Sequence, residues 1–124
     1  NIKIPKNTQV YIVDTYGETK NFFKICRIVF VGKSLTIQGG QNPLEPARFN
    51  CNIIHGPKVS NFYEIYKLLD KNKISFKVNN QIQLIKKINE LLKKDIRSKH
   101  VGNKINIIGE KILKKTLIEV KKFI

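Results

Sequence analysis

The sequence lacks long apolar runs, and it contains few cysteines, arginines and acidic residues. No apolar run approaches the roughly 20 residues that a membrane-spanning helix requires. Residues 1–6 also lack the charged, apolar and small-residue regions of a signal peptide. We therefore expect this chain to be soluble.

The only two cysteines, Cys26 and Cys51, form no CxxC pair and have no neighbouring histidine cluster. A zinc site and a disulfide framework are thus not indicated, and buried free thiols in a reducing cytosol are the favoured interpretation. No other set of metal ligands is visible. We expect neither a metal nor another cofactor.

Acidic residues are scarce relative to basic ones, with 9 against 24, so the net charge is +15. Such a charge first indicates a nucleic acid or an anionic membrane surface as partner. However, only Arg27, Arg48 and Arg97 are arginines, and the many lysines stand beside abundant Ile and Asn, a mixture typical of AT-rich coding. There is no arginine-rich recognition helix and no row of aromatic residues between basic ones. A basic nucleic-acid-binding module therefore stays an alternative.

The length of 124 residues, with 41% hydrophobic and 27% charged residues, fits one folded domain covering residues 1–124. Short apolar runs predict strands at residues 11–14, 28–31, 52–55 and 74–78. Helical spacing predicts helices at residues 19–26, 43–49, 62–69, 81–94 and 105–120. Alternating strands and helices imply an α/β fold, a Rossmann-like parallel sheet with helices on both faces. The run 28–31 is expected to be buried on both faces.

Ligands of such sheets bind outside the carboxyl ends of the strands. The loops predicted there are residues 14–17, 32–40 and 56–57. Thr15 and Glu18 have the spacing of a capping box for the first helix. Asn42 is expected to cap the second helix, with Pro43 as its first residue.

Within the loop predicted at residues 32–40, a glycine pair, Gly39 and Gly40, precedes the second helix. Without side chains there, backbone amides can approach a phosphate or a carboxylate. Glu45 lies in the first helical turn, where its carboxylate could accept hydrogen bonds from two ribose hydroxyls. The alternative, equally permitted by the spacing, is that Glu45 completes an N-x-x-E cap with Asn42.

Five short motifs occur in a fixed order along residues 14–62. They are DTYGE at Asp14–Glu18, GKSL at Gly32–Leu35, GGQNPLEPA at Gly39–Ala47, GP at Gly56–Pro57 and NF at Asn61–Phe62. In order and spacing they resemble the Kdo transferases of lipopolysaccharide assembly. These enzymes move 3-deoxy-D-manno-oct-2-ulosonic acid (Kdo) from CMP-Kdo to a lipid A precursor. The resemblance covers about the whole chain, with only helical periodicity beyond Phe62.

The resemblance implies that the chain is the donor-binding, carboxy-terminal half of a GT-B glycosyltransferase. The residues it assigns to CMP-Kdo are Gly39, Gly40, Asn42, Glu45, Ser34, Thr15, Gly17 and Glu18. The acceptor site, a glutamate base and the association with the cytoplasmic side of the inner membrane belong to an amino-terminal domain that is absent here. The chain alone is therefore expected to be inactive. A GT-B domain that uses a UDP-sugar is a further alternative, because such glycines and a ribose-binding acid are common to that group.

Three residues carry separate expectations. Lys33 departs from the glycine usual in the family, which would impair the loop if that position requires a positive φ. Asn61 is expected to be a helix N-cap. His55 is expected to be a strand-end histidine whose hydrogen bonds go to the backbone.

Overall fold

The computed structural model describes residues 3–37, 39–94 and 101–123. Within these ranges, three strands form one parallel sheet: β1 (Ile28–Phe30), β2 (Asn52–His55) and β3 (Ser75–Lys77). The helices there are α1 (Thr19–Ile25), α2 (Leu44–Arg48), α3 (Tyr63–Lys71), α4 (Gln81–Lys93) and α5 (Val101–Lys121). A 3₁₀ turn at Ser60–Phe62 precedes α3.

The strand β2 lies in the centre of the sheet, with β1 and β3 on either side. Ile53 pairs with Val29, and Ile54 pairs with Phe76. All four residues of β2 are buried, although successive side chains of a strand point to opposite faces. Both faces of the sheet are therefore covered, by helices that include α2 and α4 against β2 and α3 against β3. The predicted α/β arrangement is confirmed.

The main core lies on the face of the sheet that carries Ile53. Its buried members come from the strands, the loops and three helices: Val31, Ala47, Ile53, Val59, Tyr66, Leu69, Ile74 and Ile105. Burial of each large apolar side chain contributes about 1.5–3 kcal/mol. This core fixes α3 behind the carboxyl end of β2, which is the edge where the loops lie.

The prediction of a strand at residues 11–14 is wrong. This segment has no regular secondary structure and is exposed, with Ile12 83% accessible. A strand needs a neighbour to pair its backbone groups, and in the described part of the chain β1 pairs only with β2. Because β1 is an edge strand, Phe30 is 38% exposed, and the expectation that β1 is buried on both faces is also wrong.

The helix starts differ from the predictions at α1 more than at α2. Glu18 itself occupies the N-cap position of α1 and makes no side-chain cap bond, so the capping box with Thr15 is wrong. Thr15 Oγ1 instead donates to Glu18 Oε2, at 2.5 Å. At α2, Asn42 Oδ1 accepts from the Leu44 amide at 3.0 Å, as expected of a cap, although the helix begins one residue later than predicted.

The apolar stripes of α4 and α5 are only partly buried. On α4, Ile82, Ile85 and Leu92 remain half exposed or more, and on α5 Ile105 is buried while Leu117 and Val120 are about half exposed. The side chain of Ile112 lies outside the described residues. The helix α5 packs against α2; its 21 residues span about 31 Å, whereas the five residues of α2 span only about 8 Å. Most of the α5 stripe therefore extends beyond α2.

Neither Cys26 nor Cys51 forms a disulfide; Cys51 is buried, as predicted, and Cys26 is half-buried. The Cys51 thiol lies 3.3 Å from the Cys26 carbonyl oxygen and 3.4 Å from that of Phe23, which ties the end of α1 to β2. None of the described helices is both long enough and apolar enough to cross a bilayer.

Candidate functional site

Two loops meet at the carboxyl edge of the sheet. The glycine loop, described at residues 32–37 and 39–41, follows β1, and the second loop, residues 56–61, follows β2. Ser34 joins them: its hydroxyl donates to the Val31 carbonyl at 2.6 Å and accepts from the Gly56 amide at 2.8 Å. The Lys58 amide also donates to the Ser34 carbonyl at 2.9 Å. The two loops therefore form one framework.

The glycine pair is built into this framework by conformation and by contact. Gly39 and Gly40 have φ of 125° and 63°, values that favour glycine. A Cβ on Gly39 would lie 3.3 Å from Nδ2 of Asn61, and one on Gly40 would lie 3.2 Å from Cα of Val59. Neither position has room for a side chain without a shift of the second loop. Backbone conformation and close packing against the second loop thus account for glycine at both positions.

Two long side chains from outside the glycine loop donate hydrogen bonds to its backbone. Lys58 Nζ donates to the Thr36 carbonyl at 2.9 Å, and the Tyr66 hydroxyl of α3 donates to the Gln41 carbonyl at 2.9 Å. Sequence reasoning missed both residues, because the partners are backbone carbonyls that no sequence pattern identifies.

Glu45 lies in the first turn of α2, directly after this framework. Its side chain is 44% exposed, and Oε1 lies 4.0 Å from Nζ of Lys20, an exposed pair of small energetic value. Among the described residues, Asn42 caps the Leu44 amide and no reciprocal bond joins Glu45 to Asn42. The capping alternative for Glu45 is therefore not what the structure shows.

The loop predicted at residues 14–17 leads into α1. Thr15 and Gly17 are exposed, Gly17 has a φ of 86°, and Glu18 begins α1. Lys20, two residues further along, is the residue that approaches Glu45. The start of α1 and the start of α2 thus lie side by side.

Two residues of the glycine loop differ in what they can offer a ligand. The Ser34 side chain is fully buried with both partners in the protein, so its hydroxyl acts within the framework. Lys33 has a φ of 65°, which confirms that this position requires the left-handed conformation that is costly for lysine.

His55 lies beneath the two loops and is 2% exposed. Its Nδ1 lies 2.7 Å from the Gly56 carbonyl oxygen, which confirms the expected backbone partner. Its Nε2 lies 3.0 and 3.2 Å from the two carboxylate oxygens of Asp70. The ring packs on Tyr66 with 4.3 Å between centroids. Ser75 also donates a short hydrogen bond to Asp70.

The contacts within this cluster shift the pKa of two side chains, Asp70 and Tyr66. Burial raises the pKa of Asp70, but hydrogen bonds from His55 and Ser75 outweigh it, so the net pKa is lowered. Burial, and then the charge of Asp70, raise the pKa of the Tyr66 hydroxyl. The cluster lines a cavity of about 200 Å³ whose rim includes Lys67 and Lys77.

Asn61 is not a helix N-cap. It lies inside the 3₁₀ turn, Val59 occupies the cap position, and the Asn61 amide donates to the Gly39 carbonyl at 3.3 Å. Among the described residues, no group of three or more His, Cys, Asp or Glu side chains could hold a metal ion.

Relatives with known names match most of this chain. The 3-deoxy-D-manno-octulosonic acid transferase of Haemophilus influenzae is 34% identical over 108 residues, which is 87% of this chain and 25% of that protein. The transferase of the same name from Aquifex aeolicus is 32% identical over 77% of this chain, and that of Rickettsia typhi is 33% identical over 93%. The chain spans about a quarter of the length of these relatives. No family model matches it.

A solved structure has the same fold. It is the crystal structure of the C-terminal CMP-Kdo binding domain of WaaA from Acinetobacter baumannii. The TM-score is 0.72 and the identity 25%, over 82% of this chain and 53% of that one. By sequence and by fold, this chain corresponds to one part of the 3-deoxy-D-manno-octulosonic acid (Kdo) transferases.

Proposed function

We propose that the chain is the CMP-Kdo-binding portion of a GT-B glycosyltransferase that transfers Kdo to a lipid A precursor. The observation that carries this proposal is the placement of Gly39, Gly40 and Glu45. Two glycines in conformations that favour glycine and an exposed carboxylate follow one another at the carboxyl edge of a parallel sheet. This edge is where α/β sheets bind nucleotides. The CMP-Kdo binding domain with the same fold supports the choice of donor.

In this proposal the glycine pair receives the anionic part of the donor. The positive φ of both glycines sets the path of the loop backbone that would contact the donor, since the Cβ positions themselves face the second loop. The dipole of α2 adds little, because the helix has only five residues and its Leu44 amide is already bonded to Asn42. The loop backbone, rather than the helix end, therefore supplies the contact.

Glu45 is proposed to bind the two ribose hydroxyls of the cytidylate. A carboxylate is an acceptor with two oxygens, and hydrogen bonds to an ionised group are stronger than neutral ones. Thr15, Gly17 and Glu18 are proposed to line the same crevice from the α1 side. Ser34 is proposed to act through its position in the framework.

Residues 1–124 are proposed to form one donor-binding domain of a longer parent enzyme. The acceptor site, the catalytic base and the association with the inner membrane are assigned to the rest of the parent. Glycosyl transfer needs a base near the acceptor hydroxyl as well as a bound donor. The isolated chain is therefore expected to bind the donor without transferring the sugar, and an assay with CMP-Kdo and a lipid A precursor tests this.

Titration of isotope-labelled chain with CMP, UMP and UDP tests the donor class. CMP is expected to move the amide signals of Gly39, Gly40 and Glu45, and UMP and UDP are expected to move them less. Equal or stronger responses to UDP would assign the domain to UDP-sugars. If those signals stay still while mixed-sequence DNA binds with a steep salt dependence, the charge of +15 serves a nucleic acid and the proposal is wrong.

The role of Glu45 is tested by comparing CMP with dCMP, which lacks the 2′-hydroxyl. The wild-type chain is expected to bind CMP about tenfold more tightly than dCMP, because one hydrogen bond to a charged group is lost. Glu45→Gln is expected to weaken CMP binding and to reduce this preference. Glu64→Gln is the matched control, since Glu64 is an exposed glutamate in the first turn of α3. A CMP preference that persists in Glu45→Gln would contradict the ribose contact.

A further inference from the structure

We infer that His55 is a positioning residue of the proposed donor site: its ring, with a partner at each nitrogen, holds the glycine loop and the second loop in the binding geometry. The inference rests on the proposed function of that site. His55 does not touch the ligand in this arrangement, because it is 2% exposed and lies beneath the loops.

Each ring nitrogen has a partner at hydrogen-bond distance. Nδ1 lies 2.7 Å from the Gly56 carbonyl oxygen of the second loop, and Nε2 lies 3.0 Å from the Asp70 carboxylate of α3. The ring is therefore fixed in orientation between the second loop and α3.

The surroundings keep the ring in this place. Asp70 also accepts a hydrogen bond from Ser75, its net pKa is lowered, and its side chain is 34% exposed towards the 200 Å³ cavity. A buried polar ring is tolerated when it is hydrogen-bonded, and here both nitrogens have partners. The other titratable or charged groups of this cavity are Tyr63, Tyr66 and Lys67 of α3 and Lys77 of β3.

Two routes connect the ring to the loops. Through Nδ1 it holds the peptide that follows Gly56, while the Gly56 amide bonds to Ser34 of the glycine loop at 2.8 Å. Through its face it packs on Tyr66, whose hydroxyl holds the Gln41 carbonyl at 2.9 Å. Loss of the Nδ1 contact would release the first route, which is the one closest to the glycine pair.

Amide NMR in the absence of ligand tests the loop geometry directly. His55→Gln, which loses the Nδ1 contact, is expected to shift the amide signals of Ser34, Gly39 and Gly56. His55→Asn, which can keep that contact, is expected to shift them less. Loop signals that stay unchanged in His55→Gln would overturn the inference.

Two isosteric variants separate the two ring contacts. The side-chain amide of His55→Asn replaces Nδ1 and can still donate to Gly56, whereas that of His55→Gln replaces Nε2 and can still donate to Asp70. We expect His55→Gln to weaken CMP binding about tenfold relative to His55→Asn. Ile74→Val, a small core deletion in the α3 to β3 connection, is the control for lost stability.

The outcomes distinguish this inference from the proposed function. If His55→Gln binds CMP as tightly as Ile74→Val at the same thermal stability, His55 is a structural residue only and the inference fails. If the wild-type chain binds no CMP, the proposed function fails. In that case the ligand-free amide signals of the loops still decide whether His55 sets the loop geometry.

Discussion

Two lysines occupy the left-handed region of backbone conformation. Lys33 has a φ of 65° in the glycine loop, and Lys73 has a φ of 57° at the turn between α3 and β3. For a residue with a Cβ this conformation costs about 1–2 kcal/mol, part of which is offset because glycine loses more chain entropy on folding. These positions offer a matched pair, one inside the proposed site and one outside it.

Lys33→Gly is expected to raise the free energy of unfolding by about 0.5–1 kcal/mol, and Lys73→Gly by a similar amount. Urea denaturation with an unchanged m-value measures both. If Lys33→Gly destabilises the chain while Lys73→Gly stabilises it, the Lys33 side chain makes a contact worth more than its backbone strain.

Gly56 is required for a different reason, which is space. A Cβ there would lie 2.2 Å from the Ser34 carbonyl oxygen and 2.6 Å from the Leu35 amide nitrogen. Both atoms belong to the backbone of the glycine loop and cannot rotate away. Gly56→Ala is therefore expected to cost about 1–3 kcal/mol and to displace the glycine loop.

Gly32→Ala is the control for Gly56→Ala, because a Cβ on Gly32 meets nothing within 4 Å. That variant is expected to be neutral or to stabilise the chain by about 0.4–1 kcal/mol. Urea denaturation compares the two. Equal losses for both variants would show that the close contact at Gly56 relaxes freely.

At the scale of elements, the sequence predicts the three strands and five helices to within a few residues. Local patterns suffice here, since a β-branched run such as Ile28–Phe30 and the spacing of Ile65 and Leu69 are properties of the segment itself. Whether a strand lies at the edge of the sheet is not a property of the segment, because it depends on which other strands pair with it. The same pattern predicted a strand at residues 11–14, which fails for want of a neighbouring strand.

The site could be predicted in part for the same reason. The glycine pair, Asn42 and Glu45 are contiguous in sequence, so their chemistry is visible before the fold is known. The contacts that hold them come from Tyr66, Lys58 and His55, which meet the loop only after folding. Asp70 and His55 are 15 residues apart on different elements, and no spacing rule joins them.

The corner between α3 and β3 gives the chain an acid-sensitive element. The net pKa of Asp70 is lowered from its ordinary value of 3.8, so its ionised form is favoured in the folded state. Its contribution is present above that ordinary value and is lost as the pH falls through the lowered one.

As the pH is lowered below 3.8, the melting temperature of the wild-type chain is therefore expected to fall. Asp70→Asn is expected to start lower and to fall less steeply, because its side chain does not titrate. Asp14→Asn, at an exposed position, is expected to follow the wild type. Parallel curves for wild type and Asp70→Asn would show that the acid sensitivity arises elsewhere.

At the scale of the whole molecule, positive charge is the dominant electrostatic feature. The net charge is +15 over 124 residues. Against it stand exposed ion pairs such as Lys94 with Glu90 at 2.9 Å and Lys122 with Glu119 at 2.7 Å. Each exposed pair contributes at most about 1 kcal/mol, whereas repulsion among all the excess lysines acts against the folded state as a whole.

Salt is consequently expected to stabilise the chain. Raising the KCl concentration from about 0.01 M to about 0.15 M shortens the screening length from ~30 Å to ~8 Å, which weakens long-range repulsion more than contacts below 4 Å. The melting temperature should rise over this range. Lys104→Glu with Lys121→Glu, at exposed positions of α5, lowers the net charge by four and should flatten the rise. A melting temperature that falls with KCl would mean that the ion pairs outweigh the repulsion, since screening would then remove more attraction than repulsion.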